Sequence, residues 1–504
     1  MTSNRIPAWH PLVLVPLALA AWVYYPITRV YFYADDLIHL LTIVDDGPLA
    51  FVLKPFGGHA LLARNLAFLA SYELFGLRAE AYYWTALLTH LLDVVLLFAA
   101  LHALTRSPTL ACFGAALWGT LPLAVGTIGW YSVYGQQMVA TILLVVLAQL
   151  ARLAAAGAPL TARTATLWYA LLLLGVVSFG TGIGVALGFP AVLFLLLPSS
   201  WRRPGVRAAY VALPLVTLAV YYAARRLYLL VAPFPFVEVL HEQLARAGLW
   251  IMPPLLGHLL GFSIASVVLG FFRPPYPSPA SWVAVAAFCA GLGLVAWRGD
   301  GPTRRAALAM VVLALAIYLV IAVGRAAEYA AWRIPAWGAA GYERYHYVTT
   351  IPVVALVCLI LQQAGRLRGP SAVPRWLALV AGLGLIVAGR LHSRFAIDEH
   401  PQARYYFGKT LRDIDAAVAS QPAGSTVYLE NQQSPVAILG PAVRNPAFPG
   451  RAALFLITHP SGTLDGRRVR FVEPDPQIRT FYAQAGRRRL MQLLVAPEDV
   501  PQQP

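Results

Sequence analysis

Asp35 and Asp36 form an acidic pair just after the first long apolar run, Trp9 to Thr28. A carboxylate pair where a membrane helix meets water marks a candidate site, because ionisable groups are costly there and are kept for a use. Tyr31, Phe32, Tyr33 and Leu37 flank the pair. An aromatic interface is therefore expected around it, and partial burial raises a carboxyl pKa toward the strength of a general base. Asp45-Asp46 precedes Gly47-Pro48 and reads instead as a solvated turn. The same stretch, 29–81, carries His39, Lys54, His59, Arg64 and Asn65, and long polar loops bounded by spans are where sites tend to be built. A second cluster comes late: Arg325, Arg333, Arg344 and His346, interleaved with Trp332, Trp337, Tyr342, Tyr345 and Tyr347. These aromatic residues equally fit a belt that anchors helices at headgroup level.

The elements that must position these groups are membrane helices. Of 504 residues 59% are apolar and only 12% charged, and the mean hydropathy is +0.65, too little polarity for a soluble chain of this length. Apolar windows predict about eleven helices, near 9–28, 82–104, 108–125, 138–156, 165–181, 183–198, 208–230, 281–297, 306–324, 346–364 and 375–391. The first is read as a retained span, since no convincing small-residue cleavage site follows it. The formal charge of +16 does not imply nucleic acid: residues 1–391 hold 25 Lys or Arg against 12 Asp or Glu. Much of the excess falls in short loops, around Arg106, Arg152 and Arg163, Arg202 to Arg207, Arg298 to Arg305 and Arg366 to Arg375. That pattern orients them to the cytoplasm, with the N-terminus inside and loop 29–81 outside. Residues 249–272, interrupted by Pro253, Pro254 and Gly257, are read as re-entrant or interfacial, because a further crossing would invert every later loop. Residues 392–504 read as a small outer α/β domain. An amphipathic helix from Gln402 to Ser420 leads into strand-like runs at Ser425–Glu430, Ala452–Thr458, Arg468–Glu473 and Arg489–Val495. Cys112, Cys289 and Cys358 lack metal-type spacing. Gly180, Gly182 and Gly184 read as a tight hairpin rather than a dinucleotide loop. His90 and Asp93, one turn apart, read as an interhelical hydrogen-bonding pair before a proton relay. Arg487-Arg488-Arg489 reads as a solvated face or a contact to anionic membrane lipid or glycan.

Several segments in order resemble a family. They are Tyr31-Phe32-Tyr33-Ala34-Asp35-Asp36, Gly58-His59 with Arg64, Leu74-Phe75-Gly76-Leu77, Tyr83-Trp84, and Leu88-Thr89-His90-Leu91-Leu92-Asp93, with Glu343-Arg344-Tyr345-His346-Tyr347 later. Together they resemble the GT-C superfamily of membrane glycosyltransferases, in particular bacterial relatives of the protein O-mannosyltransferases and of their tetratricopeptide-linked counterparts. The resemblance implies an all-α polytopic domain over 1–391. It also implies a polyprenyl-phosphate-linked sugar as donor, a protein, lipid or polysaccharide hydroxyl as acceptor, and inverting transfer at the outer face of a bacterial inner membrane. Asp35 is then the base, with Asp36 orienting the acceptor or holding a cation. Arg344, assisted by His346, Arg325 or Arg333, would hold the phosphate, and His59, Arg64 and Gln136 would contact acceptor or sugar. No metal or other cofactor is called for by spacing. Two departures stand out. Where relatives carry His-Pro, an acid and a tryptophan, this chain has Leu121-Pro122 through Trp130; where many carry Lys-Glu, it has Ser178-Phe179-Gly180. A transporter or flippase of lipid-linked glycans, or a catalytically silent scaffold, would fit the same topology.

Overall fold

The computed structural model describes residues 10–227, 251–270, 275–367, 375–392, 399–432 and 450–501; the end of the 208–230 run and parts of 249–272 lie outside them. Each of the eleven expected apolar runs contains helix. Among the described residues six helical stretches are long and apolar enough to cross a membrane: Pro11–Arg29, Ala79–Thr105, Tyr131–Ala156, Pro204–Leu227, Pro279–Arg298 and Gly301–Ala330. Ala162–Val176, Gly180–Leu196, Met252–Val268, Thr350–Arg366 and Leu377–Arg390 are apolar but shorter. The run expected at 108–125 is a broken pair, Pro108–Gly119 and Pro122–Ile128, bent by 49°. Pro122 has no N–H with which to continue the first helix.

Contacts divide the connecting segments between two ends. At one end Gln362 donates to the Thr105 carbonyl at 2.8 Å, Arg106 to Ala155 at 3.3 Å, Gln363 to Arg298 at 3.0 Å, and Arg366 pairs with Asp300 at 3.2 Å. These are the arginine-rich loops. Residues 29–78, 331–349 and the C-terminal segment meet at the other end.

Glycines allow the helices carrying the site to approach closely. A Cβ on Gly182 would lie 2.0 Å from the Gly175 carbonyl, and one on Gly184 would lie 2.5 Å from Ile317 Cα. Gly180, Gly182 and Gly184 thus lie inside the helix Gly180–Leu196 rather than in a hairpin, and their spacing serves backbone packing against Ala162–Val176 and Gly301–Ala331. Gly182→Ala is expected to lower stability by about 2 kcal/mol, because the obstacle is backbone and cannot rotate away; thermal unfolding of the solubilised protein measures it.

Inside the bundle, His90 Nε2 donates to the Gly119 carbonyl at 2.9 Å and Nδ1 lies 2.8 Å from the Tyr347 hydroxyl. The hydroxyls of Tyr347 and Thr141 reach Asp93 at 3.1 and 2.6 Å. These groups tie four segments of chain together, and they fix residue 347 just beyond Arg344.

The C-terminal segment opens with the helix Glu399–Ala419. Strand β3 (Arg467–Val472) pairs in parallel with β1 (Thr426–Glu430) and β4 (Leu494–Val495), and antiparallel with β2 (Thr463–Leu464). Two expected strands are corrected. Residues Arg451–Thr458 form a helix, and Arg488–Leu493 form another before the short β4. Ala452 through Ile457 are all buried, so the run lacks the in-and-out alternation of a half-exposed strand, and an unbroken apolar run of that length does not distinguish buried helix from buried strand.

Candidate active site

Val30 to Tyr33, in neither helix nor strand, lead to Ala34, whose φ of +49° is unusual for a residue with a side chain. The helix Asp35–Asp46 starts there, with both carboxylates in its first turn, where the helix dipole favours negative charge. The two then part in role. Asp36 is fully buried. Its Oδ1 accepts from the Ser132 N–H at 2.7 Å and hydroxyl at 2.6 Å, and its Oδ2 from the Tyr33 N–H and Tyr83 hydroxyl at 3.1 Å each. Asp35 accepts no hydrogen bond from the described residues, which leaves its oxygens available to a ligand. Burial pushes the Asp35 carboxyl up to about 6, helped by the charge of Asp36 and opposed by Arg344, Arg64 and Arg325. Burial likewise pushes Asp36 up to about 6, against the hydrogen bonds from Ser132, Tyr33 and Tyr83.

Arg64, on the helix Leu62–Phe75, is 1% exposed. Its Nε and Nη1 are buried without a partner among the described residues. Burial pulls its pKa down to about 9, opposed by Asp35 and Asp36, so it is still a cation at neutral pH. A buried donor left unmade costs about 1–3 kcal/mol, so two on one guanidinium are donors that an anionic ligand would satisfy.

Arg344 is held on aromatic faces, 5.3 Å from the Trp130 ring, 4.8 Å from Tyr342 and 5.1 Å from Tyr345. Gln136 donates to the Arg344 carbonyl and thus positions the turn that carries it. Arg325 pairs with Glu328 and donates through Nη2 to His59 Nε2 at 2.9 Å. His59 also stacks on Phe179, centroids 4.5 Å apart. Burial, with Arg325, Arg64, Arg344 and Arg225, holds the His59 pKa well below the usual range. It is a neutral acceptor that orients Arg325.

The fold brings together Asp35, Asp36, His59, Arg64, Arg325 and Arg344, and leaves two expected site residues aside. His346 spends both ring nitrogens on the fold, Nε2 donating to the Ala340 carbonyl and Nδ1 meeting the Tyr318 hydroxyl, each at 2.7 Å. Burial lowers its pKa to about 4, so it is neutral and has no free donor for a phosphate. Arg333 is exposed at the end of the long helix, with no contact to Asp35 among the described residues. Trp332 and Trp337 are exposed, 59% and 49%, whereas Tyr342 and Tyr345 pack against Arg344.

Ser132 and Glu328 went unrecognised in the sequence. Ser132 stands as a lone hydroxyl within Trp130-Tyr131-Ser132-Val133-Tyr134, and Glu328 lies three residues from Arg325 at helical spacing. Asp45 and Asp46 are corrected from solvated turn to structural contact. Gly47 does make the turn, with φ +89°, but Asp45 Oδ1 accepts the N–H groups of Arg489 and Leu490 at 2.6 and 3.1 Å. Asp46 pairs with Lys54 at 3.0 Å and Arg487 at 3.1 Å. Arg487 is thereby taken away from any lipid surface. Among the described residues no three His, Cys, Asp or Glu side chains converge. A cavity of about 300 Å³ opens beside the Arg344 turn, lined by Pro122, Leu123, Phe262, Ala265, Tyr276 and Glu343 among others.

Fold and site define a polytopic helical membrane protein in which a carboxylate faces convergent guanidinium groups at one end of the bundle. No family model matches the chain, and no curated protein does. Among solved structures the chain is similar to ArnT from Cupriavidus metallidurans bound to undecaprenyl phosphate, with a TM-score of 0.46 and 15% identity over 95% of this chain and 88% of that one.

Proposed function

We propose that the protein is a GT-C-type membrane glycosyltransferase that moves a sugar from a polyprenyl-phosphate donor to an acceptor hydroxyl. One observation carries the reading: a carboxylate that accepts no hydrogen bond from the described residues lies in the field of three arginines, one of them buried with two donors unmet among those residues. Asp35 takes the acceptor proton as the acceptor oxygen attacks the anomeric carbon from the face opposite the phosphate. The bond from that carbon to the phosphate oxygen breaks, its electrons stay on the leaving polyprenyl phosphate, and the proton on Asp35 passes to water. Arg64, Arg344 and Arg325 stabilise the charge that develops on the leaving oxygen. Asp36 holds the catalytic turn in place. The apolar cavity beside Arg344 suits the first isoprene units of the donor.

Transfer from a panel of polyprenyl-phosphate hexoses, with binding of polyprenyl monophosphate measured in parallel, tests the proposal. Arg64→Met is expected to weaken polyprenyl monophosphate binding about 30-fold, roughly 2 kcal/mol, since it removes charge-assisted bonds to the phosphate. It also removes a charge that lowers the Asp35 pKa, so the rising limb of the rate–pH profile moves to higher pH. Wild-type protein that binds the lipid but neither transfers nor hydrolyses the sugar would overturn the enzyme reading and favour a transporter.

A further inference from the structure

We infer that the C-terminal α/β segment is a brace for the catalytic helix, and that Arg487 is a positioning residue for Asp35. The inference rests on the proposed role of Asp35. The helix that begins at Asp35 ends at Asp46, and its last turn is gripped from the far end of the chain. Arg487, 8% exposed, donates through Nη1 to Asp46 Oδ2 and through Nη2 to Thr42 Oγ1, both at 3.1 Å. Asp45 takes the Arg489 and Leu490 N–H groups, and the helix Arg451–Thr458 packs along the same element. The segment also holds the near side of the catalytic turn: Phe407 packs on Tyr31, centroids 5.3 Å apart, and Arg404 lies 3.7 Å from Glu80.

Ala34 explains why such a grip is needed. Its φ of +49° lies immediately before Asp35, and an alanine keeps such a conformation only where its surroundings over-determine it. A helix acts as a rigid lever, and eleven residues separate the gripped end from Asp35, about 16 Å. Releasing the far end allows Ala34 to relax toward ordinary backbone and re-aims the base. The guanidinium groups stand on other elements, Leu62–Phe75, Gly301–Ala331 and the turn at Glu343–Tyr345, so donor binding does not depend on the grip.

The test uses full-length protein in nanodiscs as wild type, Arg487→Ala, Arg487→Lys and the exposed neighbour Arg488→Ala. Three quantities are read: transfer kcat, polyprenyl monophosphate Kd, and hydrogen exchange of peptides covering residues 33–46. Arg487→Ala is expected to lower kcat about 10-fold to 100-fold, the scale of a base misplaced by an ångström. Its Kd should stay within twofold and residues 33–46 should exchange faster, while Arg488→Ala matches wild type. Should Arg487→Ala exchange faster throughout the chain, Arg487→Lys decides, since it keeps the Asp46 pair and loses the bridge to Thr42; a several-fold fall in its kcat with local loosening is expected. Unchanged kcat, or a lower kcat with unchanged exchange at 33–46, overturns the brace. If wild type transfers no sugar, the glycosyltransferase reading fails by itself, and exchange at 33–46 in Arg487→Ala still decides whether the segment holds the helix.

Discussion

Asp35→Asn is expected to lower kcat on the order of 10³-fold while leaving polyprenyl monophosphate binding unchanged or slightly tighter. Asparagine keeps the shape of the side chain but cannot take a proton, and a positioned base contributes about 10²–10⁴-fold. Binding should not suffer, because the substitution removes a negative charge from beside an anionic ligand. Wild-type rate should rise tenfold per pH unit up to about pH 6 and level off above it, since burial and the charge of Asp36 push the Asp35 carboxyl to about 6 and only the ionised form acts as base. In Asp35→Asn that limb should vanish from the residual rate. A limb near pH 6 that survives at full amplitude would move the base to another residue.

Asp36→Ala is expected to destabilise the protein by about 4 kcal/mol, with a fall in Tm of roughly 5 °C for a chain of this size. The substitution leaves the Ser132 N–H and hydroxyl, the Tyr33 N–H and the Tyr83 hydroxyl without their shared acceptor, in a place water does not reach. Asp36→Asn keeps one acceptor oxygen and should cost less. The pH dependence has a definite sign. The folded-state pKa of Asp36 is raised to about 6, so the folded protein binds the proton more tightly than the unfolded chain. The stability this group contributes is present below the ordinary carboxyl range and is lost as pH rises through about 6. Activity and this part of stability therefore run in opposite directions across the same window. Thermal scans of wild type and Asp36→Asn between pH 4 and 8 check this, and a wild-type Tm with no extra dependence relative to the variant would count against it.

The two aspartates illustrate what neighbouring identical residues conceal. Both stand out by position, because an acidic pair against an apolar run is conspicuous on any hydropathy scale. Which one is held and which is left open depends on Ser132, nearly a hundred residues on, and on Tyr83, partners that no local pattern points to. His346 fails for the same reason: whether a histidine has a free nitrogen is settled by Tyr318 and Ala340.

Composition and period alone determined the helical membrane class and the positions of the apolar runs. These are short-range properties, set by burial along a helix and by the preferences of glycine and proline. Tertiary structure alone decided that two donors of Arg64 are buried without a partner among the described residues, in the field of Asp35, that Gln136 carries the Arg344 turn, and that the far end of the chain grips Asp45 and Asp46. The broken helix at Pro122 and the assignment of Arg451–Thr458 as helix were decided in the same way. Each depends on which distant segment arrives at a given surface, and charge pairing and packing between segments tens to hundreds of residues apart leave no period in the sequence.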